Sequence, residues 1–304
     1  MKARLLQYLA CPTCQGDLTH EPPALHCHRC QKAYPIIRGV PRFTQAAEKN
    51  QEATAHNFGW QWQHFTQEDE RYADQLLGWL TPVQPDFFQG KVILEAGCGK
   101  GRHTRLAAQW GAKDVIGVDL SDAVESAYAA TEGYENAHII QADIYNLPLK
   151  PGFDYAYSVG VLHHLPDPRR GFDQLKARAE YVSAWVYGRE NNGWILYLVN
   201  PIRALTSKIP PSLLYQLSKI PTALVYAATQ LLYKKSDRLF YGAYLHNLSQ
   251  FGWREHHNIV FDHLVAPTAF YIPKTDFEQW WKGAHDVTIT WHNQNSWCGF
   301  GRFA

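Results

Sequence analysis

Long apolar runs are missing from this 304-residue chain: no stretch of 18 or more apolar residues occurs, so no helix is expected to span a bilayer. An excess of charge of one sign is missing too. The formal net charge is +1, so no whole-molecule field pulls the chain toward nucleic acid or an acidic membrane, which disfavours a large RNA partner. No secretory leader is expected either. Met1-Lys2-Ala3-Arg4-Leu5-Leu6 meets a cysteine at Cys11, too early for an apolar leader core and cleavage site, and a reducing cytoplasm is the expected compartment. With 46% hydrophobic and 14% aromatic residues, the chain has enough apolar content for one substantial core plus a small module.

Cysteine is scarce, but four of the six are grouped as Cys11-x-x-Cys14 and Cys27-x-x-Cys30. Two such knuckles present four thiolates to one tetrahedral Zn²⁺, and in a cytosolic chain that outweighs disulfides. His26 and His28 stand close enough to compete; the simpler reading is a Cys₄ structural site. The C-x-x-x-C-x-x-C spacing of radical chemistry on an iron–sulfur cluster does not occur.

The stretch that organises the chain is Val92-Ile93-Leu94-Glu95-Ala96-Gly97-Cys98-Gly99-Lys100-Gly101. An apolar strand runs into three alternating glycines and a helix carrying Leu106, Ala107 and Trp110, stopped at Gly111. Glycine is expected there because a side chain would hold a nucleotide-like ligand away from the backbone N–H groups and the helix N-terminus. A dinucleotide fingerprint needs its third glycine three residues after the second, and that place holds Arg102. The form Glu95-x-Gly97-x-Gly99-x-Gly101 resembles instead the first motif of class I S-adenosyl-L-methionine (AdoMet) methyltransferases. Two more strands ending in acids follow, Asp114 to Asp119 and Ile139 to Asp143. About twenty residues past the loop, Asp119 stands where α/β nucleotide folds place a ribose carboxylate. The resemblance implies that Asp143 bonds the adenine amine with Ile144 against the ring, and that Leu120 and Val159 flank the cofactor.

Two further segments carry resemblances. The frame around the knuckles, Leu5-Leu6-x-x-Leu9-Ala10 before Cys11 and Tyr34-Pro35-Ile36-x-x-Gly39-Val40-Pro41 after Cys30, resembles the small zinc-ribbon activators of tRNA, rRNA and protein methyltransferases. A stability module covering an apolar face of the catalytic domain is the plainer expectation for it, with substrate contact as the other. Phe58-Gly59-Trp60-Gln61-Trp62 is similar to an F-G-x-x-W segment of bacterial class I methyltransferases that closes over the methionine end of the cofactor; from this segment Trp60 is taken as the expected cofactor contact. Ordinary aromatic packing is the alternative.

A fourth strand from Phe153 leads into Leu162-His163-His164-Leu165-Pro166, a loop similar to that of small-molecule methyltransferases such as quinone-biosynthesis enzymes. The N-P-P-Y and D-P-P-F motifs of base-amine methyltransferases are absent, which speaks against DNA. A histidine here is able to take a proton from the acceptor, so His163 and His164 are the catalytic candidates, His163 first. Transfer by positioning alone is the competing account. The fifth strand, from Tyr181, follows Lys176-Ala177-Arg178-Ala179-Glu180 instead of the Lys-Pro-Gly-Gly turn of many class I enzymes.

From about 194 the rhythm changes. Leu213, Leu214, Leu217 and Ile220, then Leu224, Val225, Ala228, Leu231 and Leu232, recur at helical spacing, broken by Pro210, Pro211 and Pro221. A cap over the substrate pocket is expected, with membrane-surface contact as the alternative. Strands are expected at Asn258 to Asp262, Val287 to Trp291 and Trp297 to Arg302, with a helix at Thr275 to Trp281; Tyr244, His246, His256, His257 and Tyr271 are unranked acceptor-side candidates.

The expected organisation is a Rossmann-like α/β fold with a seven-stranded methyltransferase sheet. A zinc ribbon (1–43), a linker and aromatic lid (44–90), an AdoMet-binding core (91–193), a helical cap insertion (194–255) and closing strands (256–304) make up the chain. The expected activity is AdoMet-dependent methyl transfer to a small or medium-sized acceptor, aromatic or lipid-like, with tRNA or rRNA methylation as the alternative.

Overall fold

The computed structural model describes residues 1–44, 51–67 and 69–303; part of the expected linker, 45–50, lies outside them. The ribbon is a four-stranded antiparallel sheet of β1 (Thr19–Glu21), β2 (Ala24–Cys27), β3 (Lys32–Ile37) and β4 (Val40–Pro41). Leu5, Leu9, Leu25, Tyr34 and Phe43 are buried in one cluster with Leu94, Ile116, Ile140, Leu147 and Leu149 of the larger domain. Each such burial stabilises by about 1.5–3 kcal/mol, so the ribbon and the domain behind it share a core. Backbone hydrogen bonds add to this: Ala10 N–H donates to Pro148 O (3.0 Å), Lys150 N–H to Tyr8 O (2.9 Å) and Phe43 N–H to Gln141 O (2.7 Å).

Two helices, α1 (Glu52–His64) and α2 (Tyr72–Trp79), lead into the main sheet. Its members are β5 (Val92–Ala96), β6 (Asp114–Asp119), β7 (Ala137–Gln141), β8 (Phe153–Val159), β9 (Ala179–Tyr187), β10 (His285–His292) and β11 (Ser296–Arg302), in the order β10-β11-β9-β8-β5-β6-β7. The five strands β5 to β9 are parallel and β10 and β11 antiparallel. The parallel members read as near-continuous apolar runs because helices cover both faces: α3 (Arg102–Gln109), α4 (Val124–Thr131) and α5 (Pro168–Lys176). Asp167 caps α5 by accepting from Arg170 N–H, with Pro168 in its first turn. The ribbon meets the sheet at its β7 edge, where Arg42 bridges Gln141, and so shields unpaired strand groups.

Between β9 and β10 run α6 (Asn200–Thr206), α7 (Pro211–Leu217), α8 (Lys219–Ala228), α9 (Gly242–Ser249), α10 (Trp253–Val265) and α11 (Lys274–Trp280). Two expectations change here. Asn258 to Asp262, expected as a strand, lies inside α10: His256, His257, Asn258, Phe261 and Val265 are its buried positions, and the steps from His257 to Phe261 to Val265 are a helical spacing that a five-residue apolar window hides. The expected cap is only partly one. Helices α9 and α10 turn toward the interior cavity, whereas on α7 and α8 Leu217, Ile220 and Leu224 face outward, the last two about 70% exposed. No helix among the described residues is long and apolar enough to cross a membrane.

Candidate cofactor and acceptor site

In a parallel α/β sheet the loops at the carboxyl ends of two neighbouring strands diverge where the strand order reverses, opening a crevice. Here β5 lies between β6 and β8, and the crevice between its loop and that of β8 opens a cavity of about 550 Å³, within the range of small-molecule sites.

The glycine loop forms one wall. Gly97, Gly99 and Gly101 all have positive φ, at 86°, 50° and 79°, which favours glycine. Their missing side chains make room for protein as much as for ligand: a Cβ on Gly97 would stand 2.2 Å from Val161, one on Gly101 2.7 Å from Ala127 and one on Gly99 3.2 Å from Trp62. Packing against the β8 loop, α4 and α1 is therefore a second reason for the glycines.

Asp119 closes β6 beside that loop. Its Oδ2 accepts from Gly99 N–H (2.8 Å), and its Oδ1 from Ser121 N–H (2.8 Å) and Oγ (2.7 Å). Burial nevertheless raises its carboxyl above the usual range. Leu120, Ile144 and Val159 line the same cavity, as do Gly97, Gly99 and Asp119. Among the nominated cofactor contacts, Glu95, Gly101, Asp143 and Trp60 are not in its wall. Glu95 is sealed beneath it, accepting from Thr104 Oγ1 and facing His103 Nδ1 at 3.4 Å; burial pushes its carboxyl up to about 7. Asp143 accepts from Tyr145 N–H and Gln51 Nε2, both at 2.9 Å, and Gln51 reaches the cavity.

Trp60 stacks on His64 at 3.7 Å and packs on Phe261. Its neighbours Phe58 and Trp62 line the cavity instead. On a helix, residues two apart point about 200° from each other, so a helical reading of the segment separates Trp60 from Trp62. The F-G-x-x-W spacing agrees, since its tryptophan is Trp62 and Trp60 falls at an x position.

The histidine pair divides likewise. His164 lines the cavity, donates from Nδ1 to Thr268 O (2.6 Å) and packs on Phe58; burial pushes its pKa down to about 4. His163, the preferred candidate from the sequence, is fully buried behind the wall. Its Nδ1 lies 3.4 Å from Tyr187 N–H and its Nε2 has no hydrogen-bond partner among the described residues. Desolvation by burial lowers its pKa well below 6.5. Of the acceptor-side candidates, Tyr244 and Tyr271 line the cavity. His256 and His257 instead bond Thr229 Oγ1 (2.8 Å) and Ser218 Oγ (2.9 Å) inside the insertion. Sequence reasoning missed Trp185 and Asp262, both in the wall; helical periodicity through α10 was the available signal for the latter.

In the ribbon the four sulfurs of Cys11, Cys14, Cys27 and Cys30 lie within 4.8 Å of one another, with Cys11–Cys30 at 3.5 Å and Cys14–Cys27 at 3.4 Å. A tetrahedron with Zn–S bonds of about 2.3 Å has sulfur–sulfur edges of about 3.8 Å, so the four thiols fit a Zn²⁺.

Two family descriptions match the chain: "Methyltransferase domain" over residues 93–178 and "Trm112p-like protein" over residues 2–39. The chain carries a class I AdoMet methyltransferase domain behind a Trm112p-like zinc ribbon. The methyltransferase domain thus contains the glycine loop and Asp119; AdoMet is the cofactor of that domain and zinc the structural metal of the ribbon. Over 108 residues the chain is 33% identical to the tRNA U34 carboxymethyltransferase of Pseudoalteromonas translucida (strain TAC 125), covering 34% of this chain and 32% of that protein. It is also 33% identical over 107 residues to the protein of the same name from Haemophilus influenzae (strain PittEE), covering 34% and 32%. The chain thus spans about a third of the length of the curated relatives it matches. Among solved structures, a magnesium protoporphyrin IX methyltransferase from Synechocystis PCC 6803 with bound SAH aligns over 84% of this chain and 98% of its own, at 14% identity and a TM-score of 0.48.

Proposed function

We propose that the protein is an AdoMet-dependent tRNA methyltransferase of the cytoplasm. The observation that carries this reading is the 33% identity to tRNA U34 carboxymethyltransferases, joined in one chain with a Trm112p-like ribbon. It replaces the expectation of a small, aromatic or lipid-like acceptor, and tRNA takes that acceptor's place as partner. The charge argument behind the earlier expectation fails because charge is not spread evenly. Residues 191–250 hold Arg203, Lys208, Lys219, Lys234, Lys235 and Arg238 against the single acid Asp237. All of these bases except Arg203 are exposed. Phosphate contact depends on local lysine and arginine density, so a chain of net charge +1 still offers a basic surface.

When bound, AdoMet supplies an electrophilic methyl on a good leaving group. The chain's own contribution is placement. Asp119 would accept the ribose hydroxyls beside Gly97 and Gly99, with Leu120, Ile144 and Val159 enclosing the adenosine end and Gln51, held by Asp143, at its rim. Phe58 and Trp62 would exclude water over the reacting end. Glu95 acts from beneath, fixing Thr104 and His103 at the start of α3. His164, uncharged at neutral pH, is suited to lining the acceptor path as a hydrogen-bond acceptor through Nε2.

The test is incubation of the protein with methyl-labelled AdoMet and fractionated host extract. Label in tRNA, lost on ribonuclease treatment, is the expected result, and the mass of the modified nucleoside identifies the group added. Label confined to lipid or small-molecule fractions overturns the proposal.

A further inference from the structure

Transfer of a carbon to an oxygen or nitrogen that carries hydrogen releases a proton, and neither histidine of the β8 loop is suited to take it. His163 is outside the cavity, and burial leaves His164 a poor base, at about 4. The same cavity wall holds a carboxylate with no role in cofactor binding. Asp262, on α10, lines the wall together with Asn258, Tyr187, Tyr244 and Tyr271. It is tied only loosely: Gln61 Nε2 donates to Oδ1 at 3.4 Å and Tyr187 O–H to Oδ2 at 3.3 Å. Two ionised oxygens offer about four acceptor sites, so two long hydrogen bonds leave this carboxylate under-satisfied where desolvation makes that costly.

Contacts of the β8 loop lie on both sides of this wall. Val161 packs against Gly97, the rings of His163 and Tyr187 lie 4.0 Å apart, and Tyr187 bonds Asp262. Both Tyr187 and Trp185 at the end of β9 line the cavity, and Trp185 Nε1 has no hydrogen-bond partner among the described residues.

We propose that Asp262 receives the proton released by the acceptor during methyl transfer. The inference rests on the reading of the protein as a methyltransferase acting on an O–H or N–H group. The acceptor's lone pair forms the new bond to carbon, the carbon–sulfur bond breaks with its electrons going to sulfur, and the acceptor's proton passes to an Asp262 carboxylate oxygen. One positive charge on sulfur and one negative charge on the carboxylate disappear together, so no net charge is created in a dry site.

Burial pushes the Asp262 carboxyl up to about 6, two units above His164, so it holds a proton better and is still ionised at neutral pH. The groups facing it are Tyr187 from β9, Arg203 from α6, which pulls the value down, Tyr244 from α9, Tyr271 ahead of α11, and Glu255 on its own helix.

The experiment compares wild type, Asp262→Asn and Asp262→Glu with methyl-labelled AdoMet and fractionated host extract, alongside SAH affinity by calorimetry and a melting curve. Wild-type transfer should rise with pH to a plateau above about 6. Asp262→Asn should lose at least about 100-fold in rate, lose the acid limb, and keep SAH affinity within threefold; Asp262→Glu should recover part of the rate. An Asn variant within threefold of wild type overturns the proposal, as does an SAH loss that parallels the rate loss. Absence of an acid limb in wild type overturns it even if the variants do not fold. Label in another fraction that depends on Asp262 overturns the tRNA reading alone, label in tRNA indifferent to Asp262 overturns this inference alone, and no label anywhere overturns both.

Discussion

Gly99 donates its backbone N–H to Asp119 Oδ2 at 2.8 Å, so the third residue of the glycine loop and the last residue of the next strand hold each other in place before any ligand arrives. Replacing Asp119 by Ala removes both the proposed ribose acceptor and this tie. Hydrogen bonds to charged groups are worth about 1.5–3 kcal/mol each, so AdoMet affinity should fall by about 10- to 100-fold or more in calorimetry. Unchanged affinity removes Asp119 from the site.

Gly97→Ala tests the packing reason for the loop. The new Cβ meets Val161 at 2.2 Å with φ at +86°, and overpacking typically costs about 1–3 kcal/mol on top of backbone strain. The melting temperature should fall and SAH binding weaken; pairing with Val161→Ala should restore part of both. A Gly97→Ala protein indistinguishable from wild type contradicts the packing account.

The two tryptophans of α1 should separate. Trp62→Ala opens the cavity wall and should weaken SAH binding with a modest loss of stability. Trp60→Ala removes contacts with His64 and Phe261 and should lower stability by about 2 kcal/mol while leaving SAH affinity within about threefold. Calorimetry and thermal melts of the pair decide, and reversed phenotypes would refute the placement of the two rings.

Zinc removal should reach beyond the ribbon because Leu9, Tyr34 and Phe43 share a core with Ile140 and Leu149. Chelation, or Cys14→Ser, should lower the melting temperature of the whole chain by about 5 °C or more. A main transition that stays put shows that the ribbon unfolds independently.

Glu95 gives a pH signature. Its folded carboxyl sits near 7 against an ordinary 4.5 because burial disfavours the charge. The folded state therefore binds the proton more tightly, and this group's contribution to stability is present below pH 4.5 and lost as pH rises through 7. Relative to wild type, Glu95→Gln should gain stability from about pH 5 to about pH 7 and level off above that in melting curves; a difference independent of pH contradicts the shift.

Patterns set by neighbours along the chain were legible without coordinates. The paired cysteines, the alternating glycines and the acids that close β5, β6 and β7 stand at fixed offsets, and the expected sheet and ribbon follow from them. Misreadings occurred where a short segment has two periodic readings. Asn258 to Asp262 suits a strand until the full span of α10 is seen, and Trp60 and Trp62, two apart in one aromatic segment, point in nearly opposite directions on a helix.

The amino-acid sequence alone determined where the glycine loop, the acid that closes β6 and the four-cysteine cluster fall, because each is a local arrangement of backbone and neighbouring residues. Only the tertiary structure decided which side chains meet across the cavity. Asp262 and Tyr187 are 75 residues apart, and His163 and His164 are adjacent yet lie on different sides of the cavity wall. Which of them water or substrate reaches depends on the packing of β8, β9 and α10 against one another, and no pattern within any one of those segments encodes it.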